Sequence, residues 1–247
     1  MLSILYYIWL AVICTVVLIL SVVVLALTYP FQKSRRIAHE MSRYLALSFL
    51  LPFPRRVEGL ENVDRQGRYV IVLNHQAMID IGALYHVPLN FRWVSKREVF
   101  RIPFFGQFLL VHGDICIDRG HAAEAMEQLL RDGKLWLSRG VSVAIFPEGT
   151  RSKDGEIHRF KAGAFTLAKE AGVPMLPVVI DGTPDVIGRN RLFNWRNRIT
   201  LRVLPPVPAT EVAATETHAL MNKVHDRMAA ALDEVRGRKD RISTNKI

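Results

Sequence analysis

The sequence predicts an α/β domain: a largely parallel or mixed sheet flanked by helices, preceded by an N-terminal membrane-anchoring helical segment. Three observations predict it. Short apolar runs such as Tyr69 to Leu73 and Met175 to Ile180 lack polar alternation and so read as strands buried on both faces. Longer stretches with apolar residues at helical spacing stand between such runs, and strands that alternate with helices form a sheet covered on both sides. Ahead of them all, residues 1–32 contain no Asp, Glu, Lys or Arg.

The middle of that charge-free stretch, Leu10 to Leu27, is nearly all Leu, Ile and Val, and about 20 such residues cross the hydrocarbon core of a bilayer. A cleaved signal peptide is the competing reading. Against it, the first residues carry no positive charge and no clear small-x-small cleavage site precedes the domain. The first charges are Lys33, Arg35 and Arg36, then Arg43, Arg55 and Arg56; positive charge just after a span marks the cytoplasmic side, which in a bacterium is that of the inner membrane. A second apolar piece, Tyr44 to Phe53, is too short to span. It reads either as a helix packed on the domain or as an interfacial helix with Arg43, Arg55 and Arg56 toward lipid phosphates. Residues 1–56 are thus expected to form the anchor, 57–235 the folded domain and 236–247 a basic tail, frayed or lying on lipid.

From Tyr69 the pattern alternates. Gln76 to Leu84 has helical spacing, Phe91 to Ser95 reads as a strand, and Lys96 to Gly113 as a helical stretch interrupted at Pro103. Ile115 to Ile117 is a short strand, His121 to Ser138 an amphipathic helix and Val141 to Phe146 a strand. A polar loop, a helix from about Gly163 to Ala171 and the strand from Met175 follow. Leu192 to Leu204 adds a closing strand, and the helix after Thr215 presents Leu220, Val224, Met228, Leu232 and Val235 along one stripe.

Composition narrows the function classes. Lys and Arg total 33 against 23 Asp and Glu, a formal charge of +10 that suits anionic partners. The two cysteines, Cys14 and Cys116, offer neither a disulfide framework nor a metal-ligand cluster, so no metal is expected. No G-x-S-x-G elbow marks a serine hydrolase, and no H-E-x-x-H or Cys/His cluster marks a zinc enzyme.

The chemistry-bearing residues gather where strands end. His75 and Asp80 follow the strand Tyr69 to Leu73. Residues five apart on a helix are rotated by about 140° and do not face each other, so His75 must precede the helix in extended backbone. From the first or second turn Asp80 can then reach back to one imidazole nitrogen and leave the other free. That is a base with an orienter, the carboxylate holding the tautomer and stabilising the imidazolium. The second junction is Phe146 to Ser152, FPEGTRS. Gly149 permits backbone that a side chain would forbid, and the Arg151 guanidinium can clasp a phosphate bidentately.

The His-four-residues-Asp spacing and FPEGTRS, in this order, resemble the first and third sequence blocks of the glycerolipid acyltransferases, the family of membrane enzymes typified by 1-acylglycerol-3-phosphate acyltransferase. Gly113 to Arg119 resembles the second block, with Cys116 where a bulky apolar residue is commoner. Val173 to Val178 resembles the fourth, an apolar strand that shapes the acyl or acceptor pocket. Ala77 departs from the family, which often has a small hydroxyl residue there. The likeness covers roughly Leu73 to Ile180.

The resemblance implies transfer of an acyl chain from an activated thioester, acyl-CoA or acyl-acyl carrier protein, to the sn-2 hydroxyl of a lysophosphatidic acid at a membrane, giving phosphatidic acid. No other cofactor is expected, nor any nucleic-acid partner. Within it His75 is the base and Asp80 its orienter, while Arg151 and Arg119 grip the acceptor's phosphate. Glu148 positions the loop with Gly149 and Thr150, or holds a glycerol hydroxyl. Lys96 and Lys161 are either solvated or contacts for the donor's phosphates, and backbone amides at the start of the helix after His75 are candidates for the oxyanion. Phe100, Phe104, Phe105 and Phe108 read as core or as the lining of an acyl slot. The alternatives are another acceptor, a lysophospholipid or ornithine lipid, and a non-catalytic lipid-binding adaptor, which leaves the His, Asp and FPEGTRS blocks unexplained.

Overall fold

A computed structural model describes residues 2–28, 31, 33–103, 105–118, 120–187 and 192–244. Its strands are β1 (Arg55–Glu58), β2 (Val70–Leu73), β3 (Phe91–Lys96), β4 (Ile115–Ile117), β5 (Ser142–Ile145), β6 (Met175–Asp181) and β7 (Ile199–Val203). They form one sheet in the order β1-β7-β6-β2-β5-β3-β4, parallel at every pairing except β6 with β7. The expected mixed α/β sheet is what forms.

Helices α1 (Leu2–Thr28) and α2 (Arg36–Leu50) precede the sheet. Helix α3 (Ile79–Ala83) follows β2, α4 (Phe105–His112) follows β3, α5 (Ala122–Ser138) follows β4, and α6 (Gly163–Ala171) follows β5. Helices α7 (Ala209–Ala214) and α8 (Thr217–Thr244) come last. Successive strand side chains point to opposite faces, so Val70 and Val72 enter the core shared with α5, α6 and α8, while Ile71 and Leu73 enter the core shared with α2 and α3. That double burial is why β2 reads as an unbroken apolar run.

Helix α1 is long and apolar enough to cross a membrane, and outward side chains such as Ile8, Val12, Ile19 and Val23 are exposed. It runs antiparallel to α2, with Tyr6 stacked on Phe49 near one end and Ser21 Oγ 3.8 Å from Met41 Sδ further along. The second apolar piece begins as a helix at Arg36 rather than at Tyr44, and it packs between α1 and the domain. The arginines that the interfacial alternative turns toward lipid phosphates also bond to protein. Arg43 Nε donates to the Tyr85 carbonyl at 3.0 Å, Arg55 Nη1 to the Leu50 and Leu51 carbonyls at 3.2 Å, and Arg56 pairs with Glu58. Helix C-termini leave carbonyls without intrahelical donors, and cations satisfy them; Arg35 does the same for α4, reaching the Leu110 carbonyl at 2.9 Å.

Two further departures have clear causes. Strand β1 is an exposed, charged edge, RRVE, paired in parallel with β7, so no local apolar pattern announces it. The tail, expected either to fray or to lie on lipid, does not fray but continues α8 to Thr244, and Arg236 is held by Glu156 at 2.7 Å and Asp181 at 3.3 Å.

Candidate active site

The loops after β2, β5 and β6 converge at the carboxyl end of the sheet, where open α/β sheets place ligands. The buried Asn74 extends the β2–β6 pairing past the last strand residue: its Nδ2 donates to the Ile180 carbonyl and its Oδ1 accepts the Ile180 N–H, each at 2.8 Å. His75 comes next, outside the helix as the angular argument requires. Its N–H donates to Glu148 Oε1 at 3.1 Å and its carbonyl accepts the Ser152 N–H at 2.8 Å. The backbone is therefore clamped on both sides before the ring is considered.

The imidazole Nδ1 lies 2.8 Å from Asp80 Oδ2, and the ring stacks on Phe146 at a centroid distance of 3.8 Å, with Trp93 also stacked on Phe146. With Nδ1 taken by the carboxylate, Nε2 is the nitrogen left for chemistry, and the side chain retains 14% of its exposure.

Asp80, in the first turn of α3, is fully buried. A buried carboxylate needs donors to offset the loss of water. It has four: His75 Nδ1, the Gln76 N–H at 2.6 Å, the Ala77 N–H at 2.8 Å and the hydroxyl of Thr183. The first two amides after His75 are thus committed to Asp80 and are not available to an oxyanion, while helix α3 itself begins only at Ile79. Thr183 lies 103 residues away in sequence, and no local signal points to it.

In FPEGTRS, Gly149 sits at φ +76°, a conformation side chains disfavour, and an added Cβ would lie 3.0 Å from Lys161 Nζ. Glu148 is only 6% exposed, and Oε2 accepts the His158 N–H at 3.1 Å while Oε1 holds His75. Burial raises its pKa, and those two amides oppose the rise. Thr150 and Arg151 are exposed, and Arg151 has no acidic partner among the described residues. Lys161 joins the loop through its own N–H, which donates to the Pro147 carbonyl at 2.9 Å. Lys96 is exposed at the end of β3, two strands from β2. Arg119 and Phe104 lie outside the described residues.

Two hollows flank this constellation. One, of about 250 Å³, is lined by Phe146, Pro147, Gly149 and Lys161 together with apolar residues of α5. The other, of about 510 Å³ and almost wholly apolar, lies between α1, α2, α3 and α4; Phe105 and Phe108 line it, the slot reading of those rings.

A model of the acyltransferase family matches residues 54–181. A chloroplast 1-acyl-sn-glycerol-3-phosphate acyltransferase of Arabidopsis thaliana is 32% identical over 203 residues, 81% of this chain and 55% of that one. The alpha 1-acyl-sn-glycerol-3-phosphate acyltransferase of Mus musculus is 31% identical over 222 residues, 88% of this chain and 78% of that one. The chain thus spans about half the length of the plant relatives it matches. The crystal structure of a Thermotoga maritima 1-acyl-sn-glycerophosphate acyltransferase shares the fold, with a TM-score of 0.75 at 23% identity over 95% of this chain and 96% of that one. Since the matched segment runs from the residue before β1 to the end of β6 and takes in the loops that carry His75, Asp80 and FPEGTRS, the chain belongs to the acyltransferase family.

Proposed function

We propose that the protein transfers an acyl chain from an acyl thioester to the sn-2 hydroxyl of 1-acyl-sn-glycerol 3-phosphate, forming phosphatidic acid. The observation that carries this reading is the oriented, stacked His75 with Nδ1 on a buried Asp80 and Nε2 unengaged among the described residues. No side-chain nucleophile is needed, because the acceptor supplies its own hydroxyl.

In the proposed reaction, Nε2 takes the hydroxyl proton as the oxygen attacks the thioester carbonyl. Asp80 stabilises the imidazolium that results. The tetrahedral intermediate collapses with cleavage of the carbon–sulfur bond, and the imidazolium returns its proton to the departing thiolate. Holding the two substrates together supplies a further large share of the rate. Arg151, exposed and free of acidic partners among the described residues, suits the acceptor's phosphate, and Glu148 sets the loop's position rather than moving a proton. The apolar hollow bordered by α1 and α2 suits an alkyl chain arriving from the bilayer. The exposed apolar face of α1 holds the protein on the membrane, and the exposed Lys33 and Arg36 favour a cytoplasmic catalytic domain.

The test is acyl transfer by the purified full-length protein from labelled acyl-CoA and, separately, labelled acyl-acyl carrier protein. The acceptors are lysophosphatidic acid, lysophosphatidylcholine and a lyso-ornithine lipid. Labelled phosphatidic acid is the expected product with at least one donor. Acylation of either other acceptor with none of lysophosphatidic acid would overturn the assignment.

A further inference from the structure

The geometry of His75 and Asp80 leaves one question of mechanics: what stops the Asp80 carboxylate from turning about its own axis. Three of its donors, His75 Nδ1 and the Gln76 and Ala77 amides, converge on Oδ2. The donor recorded on Oδ1 is the Thr183 hydroxyl. We propose that Thr183 is a positioning residue of the proposed catalytic pair, its hydroxyl fixing the plane of the Asp80 carboxylate so that Oδ2 stays aimed at His75. This rests on the acyl-transfer reading above.

The chain is built to deliver that hydroxyl. Strand β6 ends at Asp181, and Gly182, at φ +86°, turns the chain back toward β2. The side-chain amide of Asn197 bonds the Gly182 carbonyl and holds the turn. The paired bonds between Asn74 and Ile180 fix the two strand ends against each other, so Thr183 and Asp80 share one frame although 103 residues separate them. Thr183 is 1% exposed.

The structure also separates this role from the ordinary use of such a residue. Thr183 occupies the N-cap position of the short helix Pro184–Val186, where a threonine oxygen usually accepts a backbone N–H. Here the side chain makes no capping bond to that helix. An ionised carboxylate only accepts and a hydroxyl carries one hydrogen, so the hydroxyl donates to Asp80 and its direction is fixed. The hydroxyl thus serves the carboxylate and not the helix it precedes.

Thr183→Val keeps the volume and removes the donor. Its kcat is expected to fall about ten- to a hundredfold, the effect of a lost hydrogen bond to a charged group, with the apparent KM of both substrates little changed. The acidic limb of its kcat/KM profile should move to higher pH, because a carboxylate relieved of one donor offers more of its charge to the imidazolium. Thr183→Ser should restore both. A readout independent of turnover is the nitrogen-15 spectrum of the His75 ring in the substrate-free protein: a single Nδ1-protonated tautomer in wild type and Thr183→Ser, a mixture in Thr183→Val. If Thr183→Val does not accumulate as folded protein, Thr183→Cys, similar in size with only a weak donor, takes its place at the same readouts.

Wild-type kcat and pH profile in the donor-free variant would overturn the proposal. So would failure of Thr183→Ser to restore them, or a loss of kcat that simply tracks lost stability and raised KM values. Should the wild-type protein transfer no acyl chain at all, the functional reading fails, while the His75 tautomer still decides the role of Thr183.

Discussion

Glu148 and His75 are joined through carboxylate and main chain rather than through their side chains: Glu148 Oε1 accepts the His75 backbone N–H at 3.1 Å. The second oxygen takes the His158 N–H at the same distance, so one buried carboxylate braces the loop after β5 against the residue proposed as the base. The glutamate of FPEGTRS therefore acts on the position of His75 without touching its ring.

Replacing Glu148 with Gln keeps the shape but turns an amide NH2 toward one of two backbone N–H groups. An unsatisfied buried donor costs about 1–3 kcal/mol, so Glu148→Gln should lower stability in chemical denaturation by that order. Turnover should fall with it, because His75 loses its anchor. Wild-type stability and turnover together would mean that the loop is held elsewhere.

His75→Ala is expected to abolish turnover while the melting transition stays cooperative. Asp80→Asn retains an oxygen for His75 and the amides, and its NH2 can face Thr183, whose hydroxyl then accepts. The fold should survive, but the imidazolium loses its counter-charge, and kcat should drop by about a thousandfold or more. Steady-state kinetics on both variants, with circular dichroism to check folding, decides this; near-normal rates in His75→Ala would end the proposed mechanism.

Arg151→Lys keeps the charge and loses the planar fork, so it should remain clearly impaired, and Arg151→Ala should be worse. Losing a charge-assisted contact costs about ten- to a hundredfold, expressed as weaker selection of lysophosphatidic acid over its dephosphorylated monoacylglycerol. Donor KM should change little. If Arg151→Ala keeps the full preference, the phosphate is gripped elsewhere, and Arg119 is the residue to replace next.

A second histidine–aspartate pair, remote from the loops, should govern acid stability. Between α2 and the sheet, His39 Nδ1 lies 3.0 Å from His112 Nε2, and His112 Nδ1 lies 2.7 Å from Asp114 Oδ1. Burial, then the charges of His112, Arg92 and Arg43, hold His39 well below its ordinary value. Burial lowers His112 as well, against the pull of Asp114. Arg92 is lowered only to about 10 and stays charged at neutral pH. In the unfolded chain both histidines regain the ordinary value of 6.5. Below that pH the unfolded state therefore binds more protons than the folded one, and stability falls as pH drops. The melting temperature should be highest above about pH 7 and decline below 6.5, less steeply in His39→Leu. A pH-independent melting temperature between 7.5 and 5.5 would refute this assignment.

Much of this protein is legible along the chain, because the periodicity of apolar residues is a local property. The helix expected from about Gly163 to Ala171 forms over those residues, and the strand expected from Met175 to Ile180 runs one residue further. His75 stands outside the helix for an angular reason that needs no coordinates, and FPEGTRS follows a buried strand as its residues imply. The apolar, charge-free opening likewise foretells α1.

What the sequence did not disclose depends on which strands lie side by side. Parallel pairing of β2 with β6 and of β2 with β5 sets Thr183 against Asp80 and Glu148 against His75 across 103 and 73 residues of chain. Strand β1 exists because β7 lies beside it, and Arg35 and Arg55 turn to helix carbonyls because folding leaves those carbonyls without donors. The Gln76 and Ala77 amides turn to Asp80 because its carboxylate is fully buried. A hydrophobic pattern is written in neighbouring residues, whereas the demand of a buried charge for hydrogen bonds arises only once tertiary packing has removed its water.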